Sequence, residues 1–134
     1  MKKMVSLILA VCMTFCVASA AHTDDSGTMP LYVHLTNLSA LVAISPSGYA
    51  EARATATTDP GYNVEVTLEL QRLGDKWTTI YTQTGSGSGY IGTIVSINRF
   101  VVHGTYQAKV TAVVTDANGN YVETATTTSQ VARY

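Results

Sequence analysis

Apolar and polar residues alternate along most of the chain, and this pattern predicts strands. The clearest example is residues 104–115, where every second position is apolar: Tyr106, Ala108, Val110, Ala112 and Val114. Side chains two residues apart share a face of a strand, so this period indicates one buried and one solvated face. A second alternating segment, 121–128, follows the turn-forming residues 116–120. We therefore predict a hairpin.

The register of this hairpin depends on its turn. A two-residue turn at Asn118-Gly119 would pair Val114 with Glu123, whereas a three-residue turn that also includes Ala117 would pair Val114 with Val122. The second register joins apolar to apolar residues, and we predict it, with Gly119 in the left-handed conformation. It places Glu123 on the solvent face.

The first predicted hairpin follows the same logic. Near Asn37 the apolar residues change from odd-numbered to even-numbered positions, which indicates a bulge in the first strand. Ser45-Pro46-Ser47-Gly48 then has the composition of a turn. With three loop residues, large side chains of the first strand face alanines of the second: Ile44 faces Ala50, Val42 faces Ala52 and Ala40 faces Ala54.

Three further strands are predicted between these hairpins. The third covers residues 63–71 and carries the strongest core pattern, and the fourth covers residues 76–84 after a Gly74-Asp75 turn. Trp77 and Ile80 cannot both face inward in a regular strand, which leaves the face of Trp77 open and favours Ile80 as the core residue. Gly85 to Gly89, with the sequence GSGSG, predicts a flexible connection to a fifth strand at residues 90–97.

Seven strands and no helical apolar stripe predict an all-β protein. Nineteen threonines after residue 20 support this class, because β-branched residues favour strands. We predict a seven-stranded antiparallel β-sandwich, with strands one, two and five in one sheet and strands three, four, six and seven in the other.

Gly104-Thr105-Tyr106, the tryptophan of the fourth strand and the Asn-Gly turn resemble small secreted immunoglobulin-like and fibronectin-type proteins of Gram-positive bacteria, most of unassigned function. The resemblance implies an immunoglobulin-like sandwich in which Tyr106 forms a tyrosine corner, its hydroxyl bonded back to upstream backbone. The chain departs from true immunoglobulin domains because it lacks their cysteine pair.

The first twenty residues have the pattern of a secretory signal peptide, with two lysines, an apolar run and Ala18-Ser19-Ala20 as a cleavage site. We expect residues 1–20 to be removed, residues 21–30 to form a mobile tail and residues 31–134 to form the domain. Both cysteines lie in the removed segment, so no disulfide is expected. The protein is predicted to be secreted, with membrane contact only during export.

Charge excludes nucleic acid as a partner, because the residues after position 20 contain six Lys/Arg and nine Asp/Glu without a basic cluster. The G-x-G-x-x-G spelled by residues 87–92 precedes a strand pattern and not a helix, so no dinucleotide site is predicted. Residues 116–120 are rich in oxygen atoms but lack the spacing of a calcium loop. We expect no catalytic, cofactor or metal site and therefore a protein that is not an enzyme.

Surface residues then carry the functional prediction. The candidate ligand-binding residues are aromatic side chains and one turn asparagine: Trp77, Tyr81, Tyr90, Tyr121 and Asn118. Rigid aromatic rings provide contact area at low entropic cost. We expect a secreted binding module for an extracellular protein or glycan. Two alternatives stay open, a protease inhibitor acting through its end loops, or a surface protein that assembles through the exposed edge of its first or fourth strand.

Overall fold

The computed structural model describes residues 32–134, which form two antiparallel sheets packed face to face. The predicted signal peptide (1–20), the predicted tail (21–30) and the first residue predicted for the domain, Leu31, lie outside the described residues. In the range 32–134 no helix is long and apolar enough to cross a membrane.

Eight strands follow one another along the described chain: β1 (Leu35–Ile44), β2 (Tyr49–Thr58), β3 (Asn63–Leu73), β4 (Trp77–Ser88), β5 (Thr93–Phe100), β6 (Thr105–Thr115), β7 (Tyr121–Thr128) and β8 (Ala132–Arg133). One sheet has the order β1-β2-β5 and the other the order β4-β3-β6-β7. This confirms the predicted sandwich and the predicted sheet membership. The structure adds the two-residue strand β8, which pairs with the start of β6 beyond the end of β7.

The core lies between the sheets, where the small side chains of β2 face larger side chains of β3 and β6. On β2 every inward position from 50 to 56 is alanine, fully or almost fully buried. On β3 and β6 most inward positions carry larger side chains, also buried: Val64, Val66, Leu68, Leu70, Tyr106, Val110 and Val114. Two inward positions of β6, Ala108 and Ala112, are small. The alanines let the backbone of β2 approach these larger side chains, which gives the dense packing that stabilises a sandwich core.

Tyr106 is fully buried, and its hydroxyl donates a 2.6 Å hydrogen bond to the carbonyl oxygen of Val102, four residues upstream. This is the backward bond expected for Tyr106. It fixes the chain where it crosses from the first sheet to the second, between β5 and β6.

The register of the first hairpin is confirmed. Ile44 pairs with Ala50, Val42 with Ala52 and Ala40 with Ala54. The register shifts between Leu35 and Asn37, which is the predicted bulge.

The register of the last hairpin was predicted wrongly, although its turn was predicted correctly. The loop has three residues and is closed by a 2.9 Å hydrogen bond from the N–H of Asp116 to the carbonyl of Asn120, and Gly119 has φ +83°. The strand then bulges at Val122, so that Val114 pairs with Glu123. One extra residue reverses the faces of everything that follows it. Glu123 and Ala125 therefore point inward, where the even-numbered residues were expected.

The GSGSG segment is not a flexible connection: its first four residues, 85–88, are the end of β4, and Gly89 begins the turn that follows. Gly87 pairs with Val64 and Gly85 with Val66, so both glycines occupy inward positions. A Cβ atom on Gly87 would lie 1.9 Å from the carbonyl oxygen of Gly92. The glycines are thus required because β5 and the turn before it lie directly against this part of β4.

The prediction for Ile80 was also wrong. A bulge between the Leu70 and Gln71 pairings leaves Ile80 as the extra residue of β4, and it remains 38% exposed. Trp77 pairs with Leu73 and lies half-buried on the outer face of the sheet. The fifth strand begins three residues later than predicted, because Gly89 and Gly92 both take positive φ and place the residues between them in a turn.

Candidate functional site

Three turns meet at one end of the sandwich, which we call the turn end. The β2–β3 and β4–β5 turns are joined by backbone hydrogen bonds, from Thr58 N–H to the carbonyl of Gly89 (3.0 Å) and from Gly89 N–H to the carbonyl of Tyr62 (3.1 Å). The β6–β7 turn lies alongside, where Asn63 Nδ2 donates to the carbonyl of Asp116 at 3.4 Å. These hydrogen bonds therefore hold the three turns in a fixed arrangement.

The β4–β5 turn presents two large side chains to solvent. Tyr90 is 71% exposed and Ile91 is 94% exposed. The backbone below them is constrained, since Gly92 N–H donates to the carbonyl of Ser88 at 3.1 Å. Gly92 has φ +59°, and a Cβ atom there would lie 2.0 Å from the carbonyl oxygen of Ala56. Two exposed side chains thus stand on a turn with little conformational freedom.

The β6–β7 turn is organised by the carboxylate of Asp116. Its Oδ1 accepts hydrogen bonds from the backbone N–H groups of Asn118 and Asn120, both at 2.9 Å, and its Oδ2 accepts from Asn120 Nδ2 at 3.3 Å. The backbone N–H of Asn120 is the main cause that lowers the pKa of Asp116 below its ordinary value. This turn carries Asn118 at its tip and leads to Tyr121, which is 67% exposed.

Glu123 fixes the segment that leads into β1. Its carboxylate accepts three backbone hydrogen bonds, from the N–H groups of Val33 (2.9 Å), His34 (2.8 Å) and Leu35 (2.7 Å). Partial burial alone would raise the pKa of Glu123, but these three donors and the nearby His34 charge outweigh it, and the pKa is lowered. The inward-turned carboxylate therefore joins the edge of β7 to the start of β1.

A histidine completes the turn end. The ring of His34 stacks on that of Tyr62 with centroids 3.9 Å apart, and its Nδ1 lies 3.3 Å from Oδ2 of Asp59. In residues 32–134 no group of three or more His, Cys, Asp or Glu side chains has an arrangement that could hold a metal ion. The stacked ring and its carboxylate partner therefore add rigidity to the β2–β3 turn.

The structure brings three of the five candidate ligand-binding residues to the same end. Tyr90, Asn118 and Tyr121 lie on neighbouring turns there. The paired ends of β4, β3, β6 and β7 that carry these turns span three strand spacings, about 14 Å at 4.8 Å each. We use the name loop surface for Tyr90, Ile91, Asn118 and Tyr121.

The other two candidates lie elsewhere. Trp77 begins β4 at the opposite end, and the first and last of its 12 residues are 11 steps apart, about 36 Å at 3.3 Å per step. Tyr81 lies on the inward side of the same strand, with the guanidinium of Arg99 5.6 Å from its ring centroid. The five residues thus do not form one surface.

Sequence reasoning missed Ile91 and Glu123. The signal for Ile91 was its place between Gly89 and Gly92, which marks a turn tip, but the alternating pattern of the next strand was extended over it. Nothing in the local sequence shows the bulge at Val122 that turns Glu123 inward.

The chain matches no protein-family model, and a search of curated proteins finds no significant match to it.

Proposed function

We propose that the protein is a secreted, non-enzymatic binding module that recognises an extracellular protein through the loop surface. The observation that carries this proposal is the exposure of Tyr90, Ile91 and Tyr121 on turns whose backbones are hydrogen-bonded in place. A preorganised surface loses little conformational entropy when it binds, so more of its contact energy appears as affinity.

The composition of the loop surface supports this role. The two turns contain tyrosine, glycine and asparagine, which are among the residue types that dominate antibody loops because they combine rigid contact area with adaptable hydrogen bonding. The resemblance to small secreted immunoglobulin-like proteins agrees with it, as such sandwiches place recognition on loops at one end. The signal-peptide pattern of residues 1–20 supports secretion.

Ile91 favours a protein partner over a glycan. An almost fully exposed aliphatic side chain gains most by entering an apolar pocket, whereas sugars are bound by aromatic faces and polar groups. One aromatic ring at this end, that of Tyr62, is already stacked on His34.

Retention on immobilised mucin, cell-wall and host-cell-surface fractions tests the proposal. We expect the wild-type protein to be retained and the Ile91→Ser/Tyr121→Ala double variant to be removed by washing. Treatment of the immobilised fraction with protease should abolish retention of the wild-type protein. Leu41→Ser is the matched control, because Leu41 is an exposed aliphatic residue on the outer face of the other sheet. Equal retention of all three proteins would contradict the loop surface, and retention that is sensitive only to glycosidases would contradict a protein partner.

A protease inhibitor is the second candidate, and the rigid β4–β5 turn is the observation that favours it. A fixed, exposed loop with a large side chain at its tip can occupy a protease cleft. Unchanged rates of a panel of secreted serine and cysteine proteases at micromolar protein would exclude this function.

A further inference from the structure

One side of the sandwich has two neighbouring strand edges that meet only near the turn end. In residues 32–134, β4 pairs only with β3 and β5 pairs only with β2, so each leaves one edge unpaired. Near the turn end the two strands touch, because Gly85 lies against the side chain of Val95 and Gly87 against the backbone of Gly92. Toward the other end larger side chains separate them, and the side of the sandwich opens.

A groove occupies this opening. Its first part, about 390 Å³, lies between Tyr81 and Gln83 of β4 and Ile97 and Arg99 of β5. An adjoining depression of about 270 Å³ shares Tyr81 with it. We use the name edge groove for the surface formed by six residues: Arg72, Ile80, Tyr81, Arg99, Phe100 and Val102.

Four of the six residues that define the edge groove carry large apolar or aromatic side chains, and all four are accessible. Phe100 is 70% exposed, and Ile80, Tyr81 and Val102 are exposed as well. Four large apolar side chains beside an open cleft are more than the scattered single residues that a soluble surface normally carries.

The charge of the groove is positive, although the whole chain has a formal net charge of −1. Arg72 and Arg99 line it, and no aspartate or glutamate does. In residues 32–134 no carboxylate oxygen lies within 4.0 Å of either guanidinium. Arg72 donates one hydrogen bond to the carbonyl of His103 (3.0 Å), and Arg99 lies over Tyr81. Both retain N–H donors, and a carboxylate is the partner that these donors fit best.

The edge of β4 is suited to pairing with another strand. Its 12 residues include no proline and no charged side chain, the devices that usually protect an edge. A bulge at Ile80 interrupts it only near its start, and Tyr81 to Ser88 pair regularly with β3. A strand added to this edge would direct alternate side chains over the edge groove.

We propose that the edge groove binds an extended peptide segment that pairs with the free edge of β4 and carries a carboxylate and a large apolar side chain on one face. The carboxylate meets Arg99, and the apolar side chain contacts Ile80 and Val102. Because one face of a strand repeats every second residue, the two side chains stand two or four positions apart. This site is separate from the loop surface.

Selection from a displayed library of random linear dodecapeptides tests the proposal. We expect enrichment of sequences with an acidic residue two or four positions from a large apolar one. A synthetic peptide with the selected sequence should bind Arg99→Glu about tenfold or more weakly than wild type, which corresponds to the loss of a charge-assisted contact. Arg53→Glu makes the same charge change on the exposed outer face of β2 and should change affinity less than about twofold.

Amide exchange locates the bound peptide. Saturation with the synthetic peptide should protect amides between Thr82 and Ser86, and the Ile91→Ser/Tyr121→Ala variant should bind the peptide as wild type does. Selected peptides without acidic residues, equal binding by Arg99→Glu and wild type, or no added protection on β4 would each overturn the proposal. Self-association of the free protein with β4 already protected would overturn it too, since a second copy would then occupy the edge.

Discussion

Glu123 should be the side chain through which pH acts most directly on the stability of this domain. Its carboxylate accepts three backbone hydrogen bonds, at 2.7–2.9 Å, from the segment that leads into β1. Hydrogen bonds to a charged group contribute about 1.5–3 kcal/mol each, so three would give about 5–9 kcal/mol if they were fully buried. Glu123 is only half-buried, and water can replace the carboxylate as the acceptor. We therefore expect Glu123→Gln to lower the free energy of unfolding by about 1–2 kcal/mol at pH 7.

The pH dependence follows from the lowered pKa of Glu123. A carboxyl group whose pKa is lower in the folded protein than in the unfolded chain stabilises the fold fully above its unfolded value, here near 4.5. This contribution disappears as pH falls from there through the folded pKa. The difference between wild type and Glu123→Gln should therefore be largest at pH 7 and should shrink below pH 4.5. Asp116 also has a lowered pKa, but it titrates in both proteins and cancels in the difference.

Urea unfolding followed by the fluorescence of Trp77, the only tryptophan, measures this difference. Glu65→Gln is the matched control, because Glu65 is exposed on the outer face of β3 and has the same charge. We expect it to cost less than about 0.5 kcal/mol at every pH. Two results would show that the carboxylate does not fix the segment that leads into β1. One is an equal loss of unfolding free energy in the two variants, and the other is a loss for Glu123→Gln that stays the same between pH 7 and pH 3.

Three further predictions test the packing. Val110→Ala should lower the free energy of unfolding by about 2–4 kcal/mol, because it leaves a cavity between the sheets. Lys109→Ala should lower it by less than about 0.5 kcal/mol. Similar values for the two variants would mean that the faces of β6 are misassigned. Tyr106→Phe should cost about 1 kcal/mol through loss of the bond to the upstream carbonyl, and a neutral result in the same urea assay would contradict that bond. Gly87→Ala should cost about 3 kcal/mol or more, because its Cβ would meet the backbone of the next turn, while Ser86→Ala on the exposed face should be nearly neutral; a tolerated Gly87→Ala would show that β4 and β5 do not touch.

Local alternation of apolar and polar residues was sufficient to predict the strands in which buried and more exposed positions alternate. On β2, β3 and β6 the apolar residues recur at every second position, and each of those positions is buried. The turn chemistry of Ser45–Gly48 then fixed the register of the first hairpin. These features depend on interactions between residues close in sequence, so the sequence pattern contains them.

Bulges explain two of the errors, the register of the last hairpin and the face of Ile80. A bulge adds one residue to one strand, and its position depends on what the partner strand and the opposite sheet require. Val122 looked like a core residue because it lies opposite Val114 in an unbroken ladder. The structure instead bulges there, and Glu123 turns inward to three backbone donors that belong to a segment about 90 residues away. The composition of GSGSG predicted a flexible connection, but residues 85–88 are strand because they pair with β3. Their glycines leave room for β5 and the turn before it.

The two surfaces differ in what the sequence could reveal. The loop surface lies at turns, and the Asn118-Gly119 turn is recognisable locally, so Asn118 could be selected in advance. Tyr90 and Tyr121 were selected as aromatic residues, and Tyr90 was expected on a strand. The edge groove forms where β4 and β5 separate, and these strands belong to different sheets. The inward residues of β4 change from glycine near the turn end to Gln83 and Tyr81 farther along the strand. Where the inward residue is glycine, the edges of β4 and β5 touch. Where it has a large side chain, the two edges are apart and the groove forms. That change is visible in the sequence only after β4 is known to continue through Ser88, so the groove and its two arginines could be recognised only from the folded chain.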